Sequence, residues 1–390
     1  MKRREFVQGL SLAGLCAAAG TRAPAMACSG AAPSPVGGTQ PKLRDKFFGC
    51  IVGCHVGSSM GAPVEGWLYE RIEKEHGLLD RLLPYEHYRN GWKREPGTTE
   101  DGVERQKLMI TAIIEKKDRV NAEDVRSVWL RDIKPESAGK VSEPFEATLL
   151  AMAKSGIPAR DLGRYCDYAG LVSMARSCHP LGLINAGDVP TAIADVFEVG
   201  QLYQTTNSRG LQWAAVTTAA IAAATTPAAT VESVVGAILE HCDPKVTGEI
   251  KNGLKRTADC KNVRELRKAF DSVYSGTGMP YAFSYANEVV TKAVCIFRMV
   301  GGNLKEAIIA GVNMGRDTDC VTAVAGGISG ALTGAGSVPE EWIRQLDYAT
   351  TLNVYTNSQR TLRESADGLY EAFRSRLTEA KAYAELMLPA

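Results

Sequence analysis

The sequence predicts an all-α fold, a single compact multi-helix domain, on three observations. Apolar residues recur at the helical period: between Arg105 and Lys116, Leu108, Met109, Ala112 and Ile113 share one face with polar residues opposite. Few segments alternate polar and apolar residues as half-buried strands do. Pro227, Pro244, Pro280 and Pro339 fall between the helical runs, where a residue without an amide donor starts or separates helices.

Residues 1–27 are set apart from that domain. Lys2-Arg3-Arg4-Glu5-Phe6 followed by the apolar stretch Leu10 to Ala19 has the charged and apolar regions of an export signal, too short to span a bilayer. Paired arginines with Phe6 behind them fit the twin-arginine type, whose route carries folded proteins. Ala25-Met26-Ala27 reads as a cleavage site, and Cys28 directly after it leaves a lipid-anchored N-terminus open. The expected location is therefore the periplasm. Residues 28–41, rich in Gly, Pro and Ser, read as a flexible lead into the domain over residues 42–390.

Within the domain the first helix is glycine-rich, and Cys50 and Cys54 sit one helical turn apart in its run of apolar and glycine residues as a packed face. His55 in that run reads as a core histidine. The connection behind it carries Trp67, Tyr85, Tyr88 and Trp92, an aromatic lid or a loop packed on its own side chains. Thr98-Thr99-Glu100-Asp101 then opens the amphipathic helix named above. Gly210 to Ala224 is alanine-rich with little charge and must be interior. Asn287 and Glu288 open a helix to Met299, as cap or cleft residues. Gly326, Gly330 and Gly334 recur every four residues, which bares one helical face for a close neighbour. Arg360 to Met387 reads as a long amphipathic helix on the surface, with Leu362, Leu369, Phe373, Leu377 and Ala380 among charges.

Composition bounds the function. A net charge of +1, with basic residues scattered, gives no electrostatic reason to expect nucleic acid as a partner. No transmembrane segment is expected. The cysteines beyond residue 41 lack the short spacings of a zinc ribbon and read as buried thiols, with one or two disulfides open in an oxidising compartment. No Gly-Lys-Ser/Thr follows a glycine run, so a P-loop is not supported.

The chemistry concentrates in two acidic clusters. Gly315-Arg316-Asp317-Thr318-Asp319-Cys320 puts two carboxylates one residue apart at the mouth of a buried helix, which calls for a cation or a set of backbone donors. Thr99-Glu100-Asp101 stands far upstream, also at a helix start. The competing reading is plain helix capping by Asp317 and Thr318, and a helix start at Thr98, Thr99 and Glu100 with acids favoured by the dipole.

Three blocks in order then resemble the ADP-ribosylglycohydrolase family. They are Phe48-Gly49-Cys50-Ile51-Val52-Gly53 through Gly57 to Glu65, next Thr99-Glu100-Asp101, and last Asp317-Thr318-Asp319 with Ala325-Gly326 and Gly330-Ala331 behind. The resemblance runs from about Lys42 to Trp342. It implies an all-α domain with divalent ions, one or two Mg²⁺ with Mn²⁺ also open, held by Thr99, Glu100, Asp101, Asp317 and Asp319. Glu65 falls where the family places a carboxylate beside the scissile bond, to handle a proton or orient water; with Asp101 it forms the expected catalytic pair. His179, Asn185 and Asp188 occupy the region that lines the substrate cleft in relatives. Ser58 and Glu100 each stand where relatives have Asp, and Cys320 where they have Thr or Ser, a soft atom against a hard ion. Arg316 replaces a common Gly and either binds an anionic substrate group or balances Asp317 and Asp319.

The expected function is an exported, metal-dependent hydrolase of a glycosidic bond, N- or O-linked to a ribosyl group. Its expected partner is a small-molecule glycoside or an ADP-ribosylated substrate. Two alternatives stand beside it: a glycoside hydrolase on scavenged carbohydrate, and a non-catalytic binding member of the same scaffold.

Overall fold

Two helices that meet through glycine lie at the centre of the fold. The structure, a computed structural model, describes residues 41–86, 91–134, 144–166, 169–274, 284–352 and 355–388. Among the described residues there are eighteen α-helices and one short hairpin. The first helices are α1 (Leu43–Gly61), α2 (Tyr69–His76), α3 (Asp101–Lys116), α4 (Ala122–Asp132) and α5 (Pro144–Lys154). There follow α6 (Ala159–Leu162), α7 (Ser173–Ser177), α8 (His179–Ile184), α9 (Val189–Val199) and α10 (Arg209–Ala224). The remainder are α11 (Val231–His241), α12 (Pro244–Arg256), α13 (Val263–Phe270), α14 (Ala286–Met299), α15 (Leu304–Val312), α16 (Thr318–Thr333), α17 (Glu340–Thr350) and α18 (Leu362–Met387). Strands β1 (Tyr85–Glu86) and β2 (Lys93–Arg94) pair antiparallel, with Tyr85 opposite Arg94. The expected export signal, the linker up to residue 40, Tyr88 and Pro280 lie outside the described residues.

The bare face expected on α16 finds its partner in α1. A Cβ on Gly330 would fall 1.9 Å from the carbonyl oxygen of Gly49, and one on Gly53 would fall 2.1 Å from that of Gly326. Gly57 sits against Thr322 and Gly61 against Asp319, so the two helices run antiparallel with their backbones touching. A side chain at any of these positions has no space, because what it meets is main chain. The register has a functional result: the end of α1 is carried to the start of α16. Thr318 locks it there, its hydroxyl donating to the Gly61 carbonyl at 2.8 Å.

Around this pair the helices bury what their sequences require. The segment Leu43–Val64 is long and apolar enough to cross a membrane, but 94% of the tested stretch is buried inside the fold, as in the core helix of a globular protein. Helix α10 is interior along almost its whole length, as its alanine content demands. The first half of α18 packs through Leu369 and Phe373, with Phe47 against Phe373 and Tyr370, whereas Leu377 is exposed. Thr361 and Glu364 close its start in a capping box.

Helix α3 departs from the amphipathic reading. Its apolar face is buried, but so are Arg105, Gln106 and Lys107 on the other side. Each has an internal partner: Lys107 donates to Glu104 at 2.8 Å, Gln106 accepts from His55 at 2.8 Å, and Arg105 lies over the Tyr203 ring. Polar residues at helical spacing imply water only when no other helix covers them. The eight cysteines among the described residues are free thiols, six of them buried.

Candidate functional site

Glycine and a left-handed arginine bring the first two acids together. Gly315 and Arg316 both have positive φ, 74° and 67°, a conformation that glycine takes without cost and arginine does not. A Cβ on Gly315 would lie 2.6 Å from the Tyr69 amide nitrogen. In this turn the Arg316 amide donates to Trp67 O at 2.6 Å and the Gly66 amide donates to Arg316 O at 2.7 Å. The chain just after Glu65 is thereby stitched to the chain just before Asp317. The Arg316 side chain is held by Glu288, Nε to Oε1 at 2.6 Å and Nη2 to Oε2 at 2.9 Å. It pairs with this acid of α14, not with Asp317 and Asp319. Lys292 donates to the same carboxylate at 2.6 Å. Burial alone would push the Glu288 carboxyl up; Arg316 and Lys292 outweigh it and hold the group below its usual range.

Asp317 is the N-cap residue of α16, yet its side chain accepts no capping hydrogen bond. Both of its carboxylate oxygens, and Oδ1 of Asp319, are buried without a hydrogen-bond partner. Glu100, the N-cap of α3, makes no capping bond either. The capping alternative thus fails on geometry for the two acids that occupy cap positions. Burial, and next the neighbouring Glu65, raise the Asp317 carboxyl above its ordinary value; burial and next Asp317 raise Asp319 further. Two buried like charges with orphaned oxygens describe a place that favours a cation.

Oxygen donors of this kind suit a hard divalent ion. The donor atoms of Asp317, Asp319 and Cys320 lie within 4.8 Å of one another, so these residues form a possible metal-binding group. Cys320 is the weak member. Burial, and then the charges of Asp317 and Asp319, push its thiol well above the ordinary range, so it stays neutral and donates weakly to Asp319 Oδ2 at 3.5 Å.

The upstream cluster reaches the same place by an unexpected route. Arg176 on α7 donates from Nη2 to Asp101 Oδ2 at 2.6 Å, while its Nη1 stands 3.9 Å from Asp319 Oδ2. One buried guanidinium therefore bridges the two clusters. Asp101 Oδ1 accepts from the Gly102 amide at 2.8 Å. Glu100 accepts from the Tyr85 hydroxyl and lies 3.6 Å from Arg94 Nε. The hairpin explains this, since Tyr85 and Arg94 face each other across it. The Thr99 hydroxyl donates to Glu104 at 2.5 Å and accepts from Lys107 at 3.1 Å. All three upstream residues expected as ligands are thus engaged by protein groups.

The other expected residues lie elsewhere. His179 is fully buried between α1, α3 and α16: its Nε2 donates to Ala323 O at 3.1 Å, which leaves Nδ1 to accept from Gln106 at 3.1 Å. Asn185 donates to Asp195 at 2.7 Å and accepts from Arg376 of α18 at 2.8 Å. Asp188 caps α9 through the Thr191 amide and lies 3.6 Å from Arg376. These hydrogen bonds tie the three to groups of the fold and not to the acids expected as ligands. Asn287 donates to Glu249 at 2.9 Å. Trp67 stacks with His76 under Arg71, and Tyr85 and Trp92 flank Arg94, so the described aromatics of the expected lid belong to two separate cation–π groups. Arg176 is the site residue that the sequence reading missed. Its signal is the sole Lys, Arg, Asp or Glu in the otherwise apolar and small-residue run from Leu171 to Ile184.

The histidine network makes stability depend on pH. Burial lowers His55 to about 3 and His179 to about 4, against an unfolded value of about 6.5. The native state therefore binds fewer protons in this window, and the stability contributed by the neutral rings, complete above pH ~6.5, is lost as pH falls through about 4 toward about 3. Imidazole ¹⁵N shifts at about pH 5 are expected to be those of neutral rings at both positions. Charged rings there in the folded protein would contradict the network.

A family model described as ADP-ribosylglycohydrolase matches residues 39–378. The ADP-ribosyl-[dinitrogen reductase] glycohydrolase of Rhodospirillum rubrum is 22% identical, over 85% of this chain and 97% of its own. An uncharacterised protein of Archaeoglobus fulgidus is 23% identical, over 84% of this chain and 97% of its own. Among solved structures, a chain titled ADP-ribosylglycohydrolase-related protein complex superposes with a TM-score of 0.61 at 16% identity, covering 85% of this chain and 98% of that one. That likeness matches the all-α fold.

Proposed function

Because this chain belongs to the ADP-ribosylglycohydrolase family, we propose that it is an exported, metal-dependent hydrolase that cleaves a glycosidic bond to a ribosyl group. The observation that carries the reading is the buried carboxylate of Asp317, with both oxygens unpartnered and Glu65 and Asp319 beside it. A scaffold that only binds or packs has no use for acids converging at this cost in burial.

Asp317 and Asp319 would hold a divalent ion, Mg²⁺ or Mn²⁺. When bound, the ion supplies positive charge for the sugar hydroxyls and for the oxygen or nitrogen that leaves. Glu65 sits at the end of the 3₁₀ turn Ala62–Val64, pinned by the backbone stitch to Asp317. From there its carboxylate can orient the attacking water and take its proton as the new C–O bond to the anomeric carbon forms. It returns that proton to the oxygen or nitrogen that leaves as the glycosidic bond breaks. Burial keeps bulk water out, so fixed charges act strongly on a sugar that develops positive character. The pinned backbone holds base and ion site in one geometry without rearrangement.

Hydrolysis of ADP-ribosyl-arginine, ADP-ribosyl-serine, nucleosides and aryl glycosides, each with and without chelator, tests the reading. Release of a ribosyl product that chelator stops is the expected result. Hits confined to aryl glycosides, or turnover indifferent to chelator, would set it aside. Glu65→Gln is expected to lower kcat by ~10²–10⁴ with KM little changed, the signature of a lost proton acceptor. A fall in affinity with kcat intact would instead make Glu65 a binding residue. The signal-like residues 1–27 support export, and fractionation of expressing cells into periplasm and cytoplasm checks it.

A further inference from the structure

The three upstream acids and hydroxyls expected as ligands are not equivalent to the two downstream ones. Asp317 and Asp319 present buried oxygens with no hydrogen-bond partner. Thr99 is engaged by Glu104 and Lys107, Glu100 by Tyr85 and Arg94, and Asp101 by Gly102 and Arg176. A cation of the protein's own already lies between the clusters. Its Nη2 is 2.6 Å from Asp101 Oδ2, and its Nη1 is 3.4 Å from Cys320 Sγ and 3.9 Å from Asp319 Oδ2.

This guanidinium is built in. Gly102 gives it room, since a Cβ there would lie 2.7 Å from Arg176 Cδ. The next residue fixes its helix against α3, with the Ser177 hydroxyl donating to Gly102 O at 3.0 Å. The Arg176 side chain is 9% exposed, and an arginine so placed keeps its charge at any pH the protein meets. We propose that Arg176 stands in for a second cation, so that the chain holds a single divalent ion, on the Asp317 and Asp319 side. The inference rests on the metal-dependent reading given above. Arg176 is on this view a positioning residue: it holds Asp101 in place and balances the acids, where a second ion would otherwise do both. Cys320 fits the same scheme, because its soft sulfur beside Nη1 completes a wall that a hard ion does not seek.

The experiment counts ions. Full-length protein is stripped with chelator, titrated with Mn²⁺ by calorimetry, and the bound metal is read by electron paramagnetic resonance and elemental analysis. The wild type is expected to take one Mn²⁺ per chain and to show no spin coupling between ions. Arg176→Gln, or Arg176→Met if the glutamine variant does not fold, is expected to take two. Asp101→Asn is expected to keep a count of one, and Asp319→Asn to lose it. Two ions in the wild type, one ion in the folded Arg176 variant, or loss of the ion in Asp101→Asn would each overturn the proposal. Two ions in the wild type would leave the hydrolase reading standing, whereas none would remove the metal from both.

Discussion

Asp319→Asn is expected to abolish hydrolysis and, with it, the stabilisation of the protein by divalent ions. The two effects have one cause, the loss of a buried charge that a metal needs and the bare protein does not. Burial and then Glu65 raise the affinity of Asp317 for protons, and burial and then Asp317 raise that of Asp319. Neutralising one should therefore stabilise the chelated protein. In saturating Mg²⁺ or Mn²⁺ the order reverses. An ion at ~100 times its Kd adds about 2.7 kcal/mol to the wild type and nothing to a variant that does not bind it. Thermal unfolding with and without metal shows this as a crossing of the two melting temperatures. Equal shifts in both proteins would mean that the ion binds elsewhere; no shift in either would remove the metal from the site.

Gly330→Ala should cost about 3 kcal/mol or more, although it adds one methyl group. The new carbon would fall 1.9 Å from Gly49 O and 2.2 Å from the same carbonyl carbon, both in the main chain of α1. Overpacking against side chains typically costs ~1–3 kcal/mol because rotamers give way. Here no rotamer is available, and two helices must separate along their length. Gly236→Ala in α11 is the control, since a Cβ at that position meets nothing within 4 Å. It should stabilise the protein by roughly 0.5–1 kcal/mol through helix propensity. Urea unfolding of the pair measures both; a Gly330 variant as stable as the control would mean that α1 and α16 are not in backbone contact.

The sequence reading reached the helices and the acids by different kinds of signal. Hydrophobic period, proline placement and the four-residue glycine spacing are local, and they located α3, α10, α16 and α18. The glycines at 49, 53, 57 and 61 carry the same spacing as those of α16, so the pairing of the two helices was open to view and was missed. Asp317 and Asp319 stood out because a carboxylate pair before a run of small residues has few structural uses. Arg176 did not, since its meaning comes from α7 packing across the start of α3, which no local pattern encodes. His179, Asn185 and Asp188 show the reverse failure. A polar turn announces that polar side chains have partners, but not whether those partners are a ligand, a carbonyl of α16 or an arginine of α18. The environment of Thr99 and Glu100 depends likewise on Lys107 and on the hairpin holding Tyr85 and Arg94, both set by tertiary contact.

The touching main chains of α1 and α16 have one more effect. At Gly49, Gly53, Gly326 and Gly330 main chain meets main chain, so the spacing of the two helices there is not set by a side chain that could be exchanged for a larger or smaller one. The dimensions of the acidic site are inherited from backbone stereochemistry, and the outer helices are free to diverge around them.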